Sequence, residues 1–255
     1  MNRFEGKTVL ITGSTGGIGQ SLARHFAAEG ARLVLVDLDG SQLRQQVESL
    51  GADRALAVAA DVSNEEQTQA ALDQALQRWT RIDVAALNAG IEGRIALLEE
   101  QAAADFDRVM AVNVRGVFLW LSRLLGVMRR QQGGVITITS STGGLRGNSR
   151  LGPYVASKHA VIGLMKSAAL EGAPHGVRVN CVNPGPIETR MMEAIESGNG
   201  VQAEIRARNA AGIPLRRYGT PDEVAAMVAF LSSAEAAYTT GSTFVLDGGG
   251  LAGKA

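Results

Sequence analysis

The chain has 255 residues, 45% of them hydrophobic, enough for a sizeable buried core and too apolar for a disordered segment. Its 25 basic and 25 acidic residues cancel to a formal charge of +0, which leaves no electrostatic footprint for nucleic acid or an anionic membrane. A single cysteine, Cys181, excludes an intramolecular disulfide and a cysteine-built zinc site, and three scattered histidines do not suggest a metal cluster.

The opening MNRFEGKTVLITG holds an apolar run too short for a signal-peptide core, and nowhere do 18 apolar residues run together. A soluble, cytoplasmic protein is expected. The first strand is expected at TVLIT, 8–12. It runs into Thr12-Gly13-Ser14-Thr15-Gly16-Gly17-Ile18-Gly19, and a helix over 18–29 follows. Glycines at such a turn let the backbone approach a diphosphate, whose charge is favoured at a helix N-terminus. The spacing is GxxxGxG rather than GxGxxG. A second strand, 31–37, ends in Asp37, eighteen residues beyond Gly19. A carboxylate there can bind adenosine ribose hydroxyls and repels a 2′-phosphate, and no nearby cation compensates it. NAD is therefore favoured over NADP. Asp39 is read as solvated.

A third strand at 55–61 ends in Asp61-Val62, and a helix is expected over 65–79. The fourth, 83–88, ends in Asn88-Ala89-Gly90. One long helix over 102–130 follows, with Asn113 inside VNVRG. The fifth strand, 134–140, closes on Ser140-Ser141. A helix over 153–173 then carries Tyr154 and Lys158, which at i and i+4 lie on one face. By itself that pair is also what a packed tyrosine beside a solvated lysine looks like. The sixth strand, 177–183, leads into an excursion, 186–212, with glycines and short helical pieces but no strand, as in lids and binding loops. Thr220 is expected to cap a helix over 221–231, with Pro221 at its first position and Asp222 and Glu223 in its first turn. The last strand is 242–247. Alternation of this kind implies an α/β fold: a Rossmann-type, doubly wound parallel sheet of about seven strands with helices on both faces. With no linker, repeat or low-complexity stretch, residues 1–255 read as one domain.

Taken in order, the glycine turn, the NAG of 88–90, Asn113, the serine pair, Tyr154, Lys158 and Pro184-Gly185-Pro186-Ile187-Glu188-Thr189 resemble the short-chain dehydrogenase/reductase family over nearly the whole chain. The resemblance implies a diphosphate turn of Gly13, Gly17, Ile18 and Gly19, with Asp37 as the NAD-selecting acid. It implies that Asp61 and Val62 contact adenine and that Asn88 supports the central strand beside the cofactor ribose. Leu87 stands where many relatives carry a further Asn. Pro184, Gly185, Ile187 and Thr189 match the segment over the nicotinamide. Asn113, Ser141, Tyr154 and Lys158 match the catalytic tetrad, with Ser141 preferred to Ser140 for its thirteen-residue spacing from Tyr154. The resemblance also implies a homotetramer.

Oxidising a secondary alcohol requires a base for the hydroxyl proton while a hydride leaves. A free tyrosine, with a pKa near 10, is a poor base at neutral pH, and bringing it to about 7 takes about 4 kcal/mol. A neighbouring ammonium and a positively charged nicotinamide ring act in that direction. Lys158 is therefore expected to tune Tyr154 and to bind the ribose. Ser141 would hydrogen-bond the substrate oxygen, and Asn113 would hold a water linking Lys158 to solvent. The expected function is NAD-dependent interconversion of a secondary alcohol, of a cyclic type by resemblance, and its ketone. Glu92, Leu145, Leu151, Met191 and Met192 are the candidate substrate contacts, with Arg146 a further polar candidate. The alternatives are a 3-oxoacyl-carrier-protein reductase and a non-catalytic NAD-binding protein. Sugar and steroid alcohols stay open as substrates.

Overall fold

In the computed structural model, which describes residues 2–253, strands β1 (Thr8–Thr12), β2 (Arg32–Asp37), β3 (Ala55–Ala59), β4 (Val84–Leu87), β5 (Gly134–Thr139), β6 (Val177–Pro184) and β7 (Thr243–Leu246) form one parallel sheet in the order 3-2-1-4-5-6-7. Successive side chains of a strand point to opposite faces, so one apolar run feeds two cores. On β1, Leu10 enters one core together with Trp120, Leu124 and Met165. Val9 and Ile11 enter the other, with Leu22, Phe26 and Val228.

The helices covering these faces are α1 (Gly17–Ala28), α2 (Gly40–Leu50), α3 (Glu65–Trp79), α4 (Ala103–Met110), α5 (Gly116–Gln131), α6 (Gly152–Gly172) and α9 (Pro221–Ser232). Two more, α7 (Arg190–Gly198) and α8 (Gln202–Gly212), stand between β6 and α9. Element ends differ from the sequence expectation by a residue or two, the ordinary fraying of helix and strand ends. The α9 start follows the sequence closely: the Glu223 N–H donates to the Thr220 hydroxyl, and the Glu223 carboxylate accepts from the Thr220 N–H.

Two features depart from the reading above, and the excursion agrees with it. Asp39 is not simply solvated: its carboxylate accepts from the Ser41 and Gln42 N–H groups and caps α2. The Ser41 hydroxyl, followed by the Gln42 N–H, holds its pKa down to about 2. The long helix over 102–130 is interrupted by one π-helical turn, Ala111–Arg115, around Asn113. The excursion is largely helical, in α7 and α8.

The segment Ala103–Gln131 is long and apolar enough to cross a bilayer. One face of it, Val117, Trp120, Leu121 and Leu124, is nevertheless spent on the core. Between β1 and β4 the order of strand addition reverses. There the connections diverge to opposite faces and leave a crevice at the carboxyl ends of the strands.

Leu124 is fully buried in α5. Leu124→Ala is expected to cost about 2–5 kcal/mol, read as a lower denaturant midpoint in urea unfolding at unchanged slope. A cost within experimental error would mean that α5 is not anchored through this face.

Candidate active site

One cleft of about 1210 Å³ opens where β1, β4, β5 and β6 end. At one end lies the glycine turn. Gly13 has φ +65°, and a Cβ on it would meet the Ala89 Cα at 2.8 Å. A Cβ on Gly19 would lie 2.0 Å from the Gly13 carbonyl oxygen. No side chain caps α1, so the orphan N–H groups of its first turn face an open space suited to an anion. Gly17 lies under Thr189, whose Cγ2 would be 3.0 Å from a Cβ there. Ile18 packs into the second core beside the turn.

Asp37 ends β2 at the edge of this turn. Its Oδ2 accepts from the Thr15 N–H at 2.9 Å and the Thr15 hydroxyl at 2.7 Å, and its Oδ1 from the Leu38 N–H at 2.7 Å. Three of about four acceptor positions are filled by the chain, which fixes the carboxylate and leaves room for one further donor. Asp61 and Val62 line the same end of the cleft. Asp61 holds the turn before α3 by accepting from the Ser63 N–H and hydroxyl.

β4 is tied to the turn through Thr12, whose hydroxyl accepts from the Asn88 and Ala89 N–H groups, while the Asn88 amide donates to the Gly13 carbonyl at 3.2 Å. Leu87 is core, so that position adds apolar contact where an Asn would add a hydrogen bond. At the exit of β6, Pro184 is buried and Gly185 packs on Asp247, where a Cβ would come within 2.8 Å of the Asp247 Cβ. Ile187 pairs with Gly219 and enters the core, and Thr189 caps α7 by accepting from the Met192 N–H.

Near the middle of the cleft, α6 presents Tyr154 and Lys158. Lys158 is 5% exposed; its Nζ donates to the Thr139 carbonyl at 2.9 Å and lies 5.5 Å from the centre of the Tyr154 ring. Ser141 stands beside Tyr154. A Cβ on Gly143 would lie 3.4 Å from the Tyr154 Cε1 and 3.5 Å from the Ser141 Oγ, so glycine lets the three converge. The Asn183 amide donates to the Ser141 carbonyl and fixes that turn. Ser140 is turned the other way, donating to the Lys158 carbonyl at 2.9 Å.

Asn113 is buried in the π turn. Its amide donates to the Ile91 carbonyl at 2.9 Å and to the Ser157 hydroxyl at 3.0 Å, and its Oδ1 accepts from the Ile91 N–H at 2.8 Å. Both of its donors are committed to protein, so the side chain's main work is to hold the 91–97 loop against α6. Gly90 joins it to the lysine: a Cβ there would meet the Asn113 Oδ1 at 3.3 Å and the Lys158 Nζ at 3.4 Å.

Electrostatics here differ from expectation in one respect. In the chain alone, burial pushes the Tyr154 phenol up from its ordinary value, the Ser141 hydroxyl offsets only part of this, and Glu92 adds to the rise. Burial also pushes Lys158 down to about 8. Desolvation therefore outweighs any help the ammonium gives the phenol. The neighbouring Cys181 thiol is pushed up to about 12, also by burial, and is inert at neutral pH.

The far end of the cleft is lined by Glu92, Leu151, Met191 and Met192, together with Arg146, Arg150 and Arg208. Leu145 does not belong to it: the residue ends the short turn Thr142–Gly144, 41% exposed and outside the cleft. The excursion is fastened from behind. Arg206 pairs with Glu188 at 2.7 Å and stacks over the Tyr218 ring at 4.7 Å, and the buried Tyr218 lies against Glu196 and Asn209. Sequence reasoning passed over Thr15, Gly90, Ser157, Asn183 and the two further arginines. Of these, Gly90 carried a signal as the end of NAG and Asn183 as the residue before Pro184-Gly185.

A sequence profile described as enoyl-(acyl carrier protein) reductase matches residues 13–250. The levodione reductase of Leifsonia aquatica is 40% identical over 255 residues, covering 97% of this chain and 95% of its own. The chain belongs to the short-chain dehydrogenase/reductase family. A crystal structure of levodione reductase superposes with a TM-score of 0.93 at 39% identity, covering 96% of this chain and 98% of that one. Cyclohexanol dehydrogenase of an Acinetobacter species is 36% identical over 97% of this chain and 96% of its own. A 3-ketoacyl-(acyl-carrier-protein) reductase from Brucella melitensis complexed with NADH has a TM-score of 0.89 at 35% identity, over 96% of this chain and 98% of that one. The family fold and its oxidoreductase character thus extend over nearly the full length.

Gly19→Ala must open the turn, because its Cβ would fall 2.0 Å from a backbone oxygen. It is expected to weaken binding of a nicotinamide dinucleotide at least tenfold by calorimetry. Gly163→Ala is the control: it lies in α6 with nothing within 4 Å of its Cβ, and should leave binding unchanged. Equal affinity in both variants would remove the turn from the binding site.

Proposed function

We propose that this protein is an NAD-dependent oxidoreductase that interconverts a secondary alcohol, of a cyclic type, and its ketone. The observation that carries the reading is the convergence of Tyr154, Ser141 and Lys158 on one cleft whose other end is a glycine-rich turn beside Asp37. Names of relatives support it: levodione reductase and cyclohexanol dehydrogenase act on ring ketones or alcohols. When bound, the dinucleotide supplies or accepts the hydride.

The remaining chemistry belongs to the chain's own residues. Gly13, Gly17, Ile18 and Gly19 would bind the diphosphate, and Asp37 the adenosine ribose through its remaining acceptor position, with charge excluding a 2′-phosphate. Asp61 and Val62 would flank the adenine. Asn88 and Lys158 would face the second ribose, and Pro184, Gly185, Ile187 and Thr189 would cover the nicotinamide. Ser141 would donate to the substrate oxygen and hold it beside the Tyr154 hydroxyl. Tyr154 then takes the carbinol proton in oxidation and returns it in reduction. Lys158, desolvated and tethered to Thr139, is poised to exchange its own proton near pH 8. Asn113 positions the 91–97 loop and α6 around this pair. Residues 1–255 act in this reading as a single dinucleotide-binding domain, with the 186–212 excursion as its substrate cover. Exposed Phe106, Phe118 and Leu170 on α4, α5 and α6 suit burial in a soluble, cytoplasmic homotetramer.

A 3-oxoacyl-carrier-protein reductase is the second reading. The Brucella enzyme of that description was crystallised with NADH, so a preference for NAD does not by itself exclude it. Acidic carrier protein would need a basic patch, for which Arg129 and Arg130 at the end of α5 are the available cations.

Tyr154 must be deprotonated to act as a base and protonated to act as an acid. Its phenol is pushed up by burial, so kcat/KM for alcohol oxidation is expected to rise from pH 7 into the alkaline range, while ketone reduction falls. Lys158, pushed down to about 8, loses its proton before the phenol does as pH rises. Tyr154→Phe should abolish turnover at every pH while NAD still binds. Wild-type-like turnover in that variant, or an oxidation rate falling with pH, rejects the mechanism. Asp37→Ala should lower the NAD/NADP ratio of kcat/KM at least tenfold; an unchanged ratio places selectivity elsewhere.

A further inference from the structure

The substrate end of the cleft is unevenly charged. Arg146 and Arg150 reach it from the connection between β5 and α6 and Arg208 reaches it from α8, with Arg190 of α7 a further cation of the lining and Glu92 a carboxylate among them. Among the described residues, none of these arginines pairs with a carboxylate within 4.0 Å, whereas Arg206, two positions before Arg208, is paired with Glu188. The cations on the cleft side of the excursion are left free, and the one behind it is satisfied.

Arg150 is the most constrained of these arginines. It is half-buried and has φ +67°, a left-handed conformation that a long L side chain rarely adopts. Its guanidinium is held to the 91–97 loop by one long bond, Nη2 to the Ile95 carbonyl at 3.4 Å. Its Nε is shielded from solvent and has no acceptor. A buried guanidinium N–H without a partner and a strained backbone both cost free energy that packing here does not return. A guanidinium that lines the cleft suits a carboxylate or other oxyanion through charge-assisted N–H bonds. Glu92 is a charged side chain that acts on the Tyr154 phenol.

We infer that the substrate is a secondary alcohol or ketone that also carries an oxyanionic substituent, seated on Arg150 and closed over by Arg208, several bonds from the carbinol carbon. This rests on the alcohol–ketone reading and narrows it. The neutral ring alcohols suggested by relatives then become poor substrates that lack the anchoring group. Arg208, carried on the excursion, completes the subsite only when α8 lies over the cleft.

The test compares cyclohexanol with 3-hydroxycyclohexanecarboxylate at saturating NAD, in wild type, Arg150→Gln and Arg208→Gln. Cyclohexanecarboxylate is titrated into each protein–NAD complex by calorimetry. We expect the wild-type kcat/KM ratio, anionic over neutral, to exceed ten. It should fall at least tenfold in Arg150→Gln and severalfold in Arg208→Gln, with partial recovery in Arg150→Lys. Carboxylate binding should weaken in parallel and with rising salt. Cyclohexanesulfonate and cyclohexyl phosphate as competitors report which oxyanion fits. Should Arg150→Gln fail to fold by circular dichroism, Arg208→Gln and the salt dependence carry the result. A wild-type preference for cyclohexanol, or ratios within twofold in both variants, overturns the subsite. Saturable, arginine-dependent carboxylate binding without turnover of either alcohol supports the subsite and rejects the alcohol–ketone reading. Turnover of cyclohexanol without carboxylate binding does the reverse.

Discussion

The closest backbone approach at the site is at Gly19, where even a methyl group would fall 2.0 Å from the Gly13 carbonyl oxygen. That contact folds the end of β1 back on the start of α1, and several neighbours depend on where it leaves the chain. The Gly13 carbonyl receives the Asn88 amide, the Thr12 hydroxyl receives two N–H groups of β4's exit, and Thr15 holds Asp37. Beyond Asn88 the chain reaches Gly90, whose missing side chain admits both Asn113 and Lys158. A turn needed for backbone reasons at one end of the cleft thus sets the position of the lysine at its centre.

At that centre the energetic cost is desolvation. Lys158 has one protein acceptor, a carbonyl, and no carboxylate; a buried ammonium in that state gives up its proton easily, hence a pKa near 8. Tyr154 holds its proton for the same reason. Burial drives the two apart from nearly equal starting points, lysine downward from 10.5 to about 8 and tyrosine upward from 10.0. In the chain alone the lysine therefore gives up its proton before the phenol does, which is not the state of an ammonium that lowers a phenol. Apolar packing around α6, supplied by Val161, Ile162 and Met165, maintains that dryness.

Strands and their order of use were legible because buried parallel strands leave continuous apolar runs, and the turn at 13–19 because only glycine tolerates its geometry. Helix α2 was passed over: its sequence is polar apart from Leu43, Val47 and Leu50, and its cap, Asp39, reads as an ordinary surface acid until the chain turns onto it. The π turn at Asn113 leaves no mark in composition, since an inserted i→i+5 step changes phase without changing residue type. Leu145 was assigned to the substrate end by loop membership alone, and a loop has two sides. Tyr154 and Lys158 were placed by helical spacing, which fixes a shared face. What that spacing cannot carry is how dry the face is, and dryness decided the direction of both shifts.

The excursion from β6 to α9 shows how a mobile-looking sequence becomes a defined wall. Glu188 and Arg206 join its two ends, and the Arg206 plane covers Tyr218. Glu196, fully buried, meets Tyr218 from α7. A carboxylate with so little solvent is expensive unless its neighbours stay in place, so α7 and α8 are bound to one another through their polar backs. Their front sides carry Met191, Met192, Ile195 and Ile205 toward the cleft, an adaptable apolar surface with Arg208 at its edge. The division is physical: a polar rear sets where α7 and α8 lie, and an apolar front with Arg190 and Arg208, neither paired with a carboxylate among the described residues, lines the cleft.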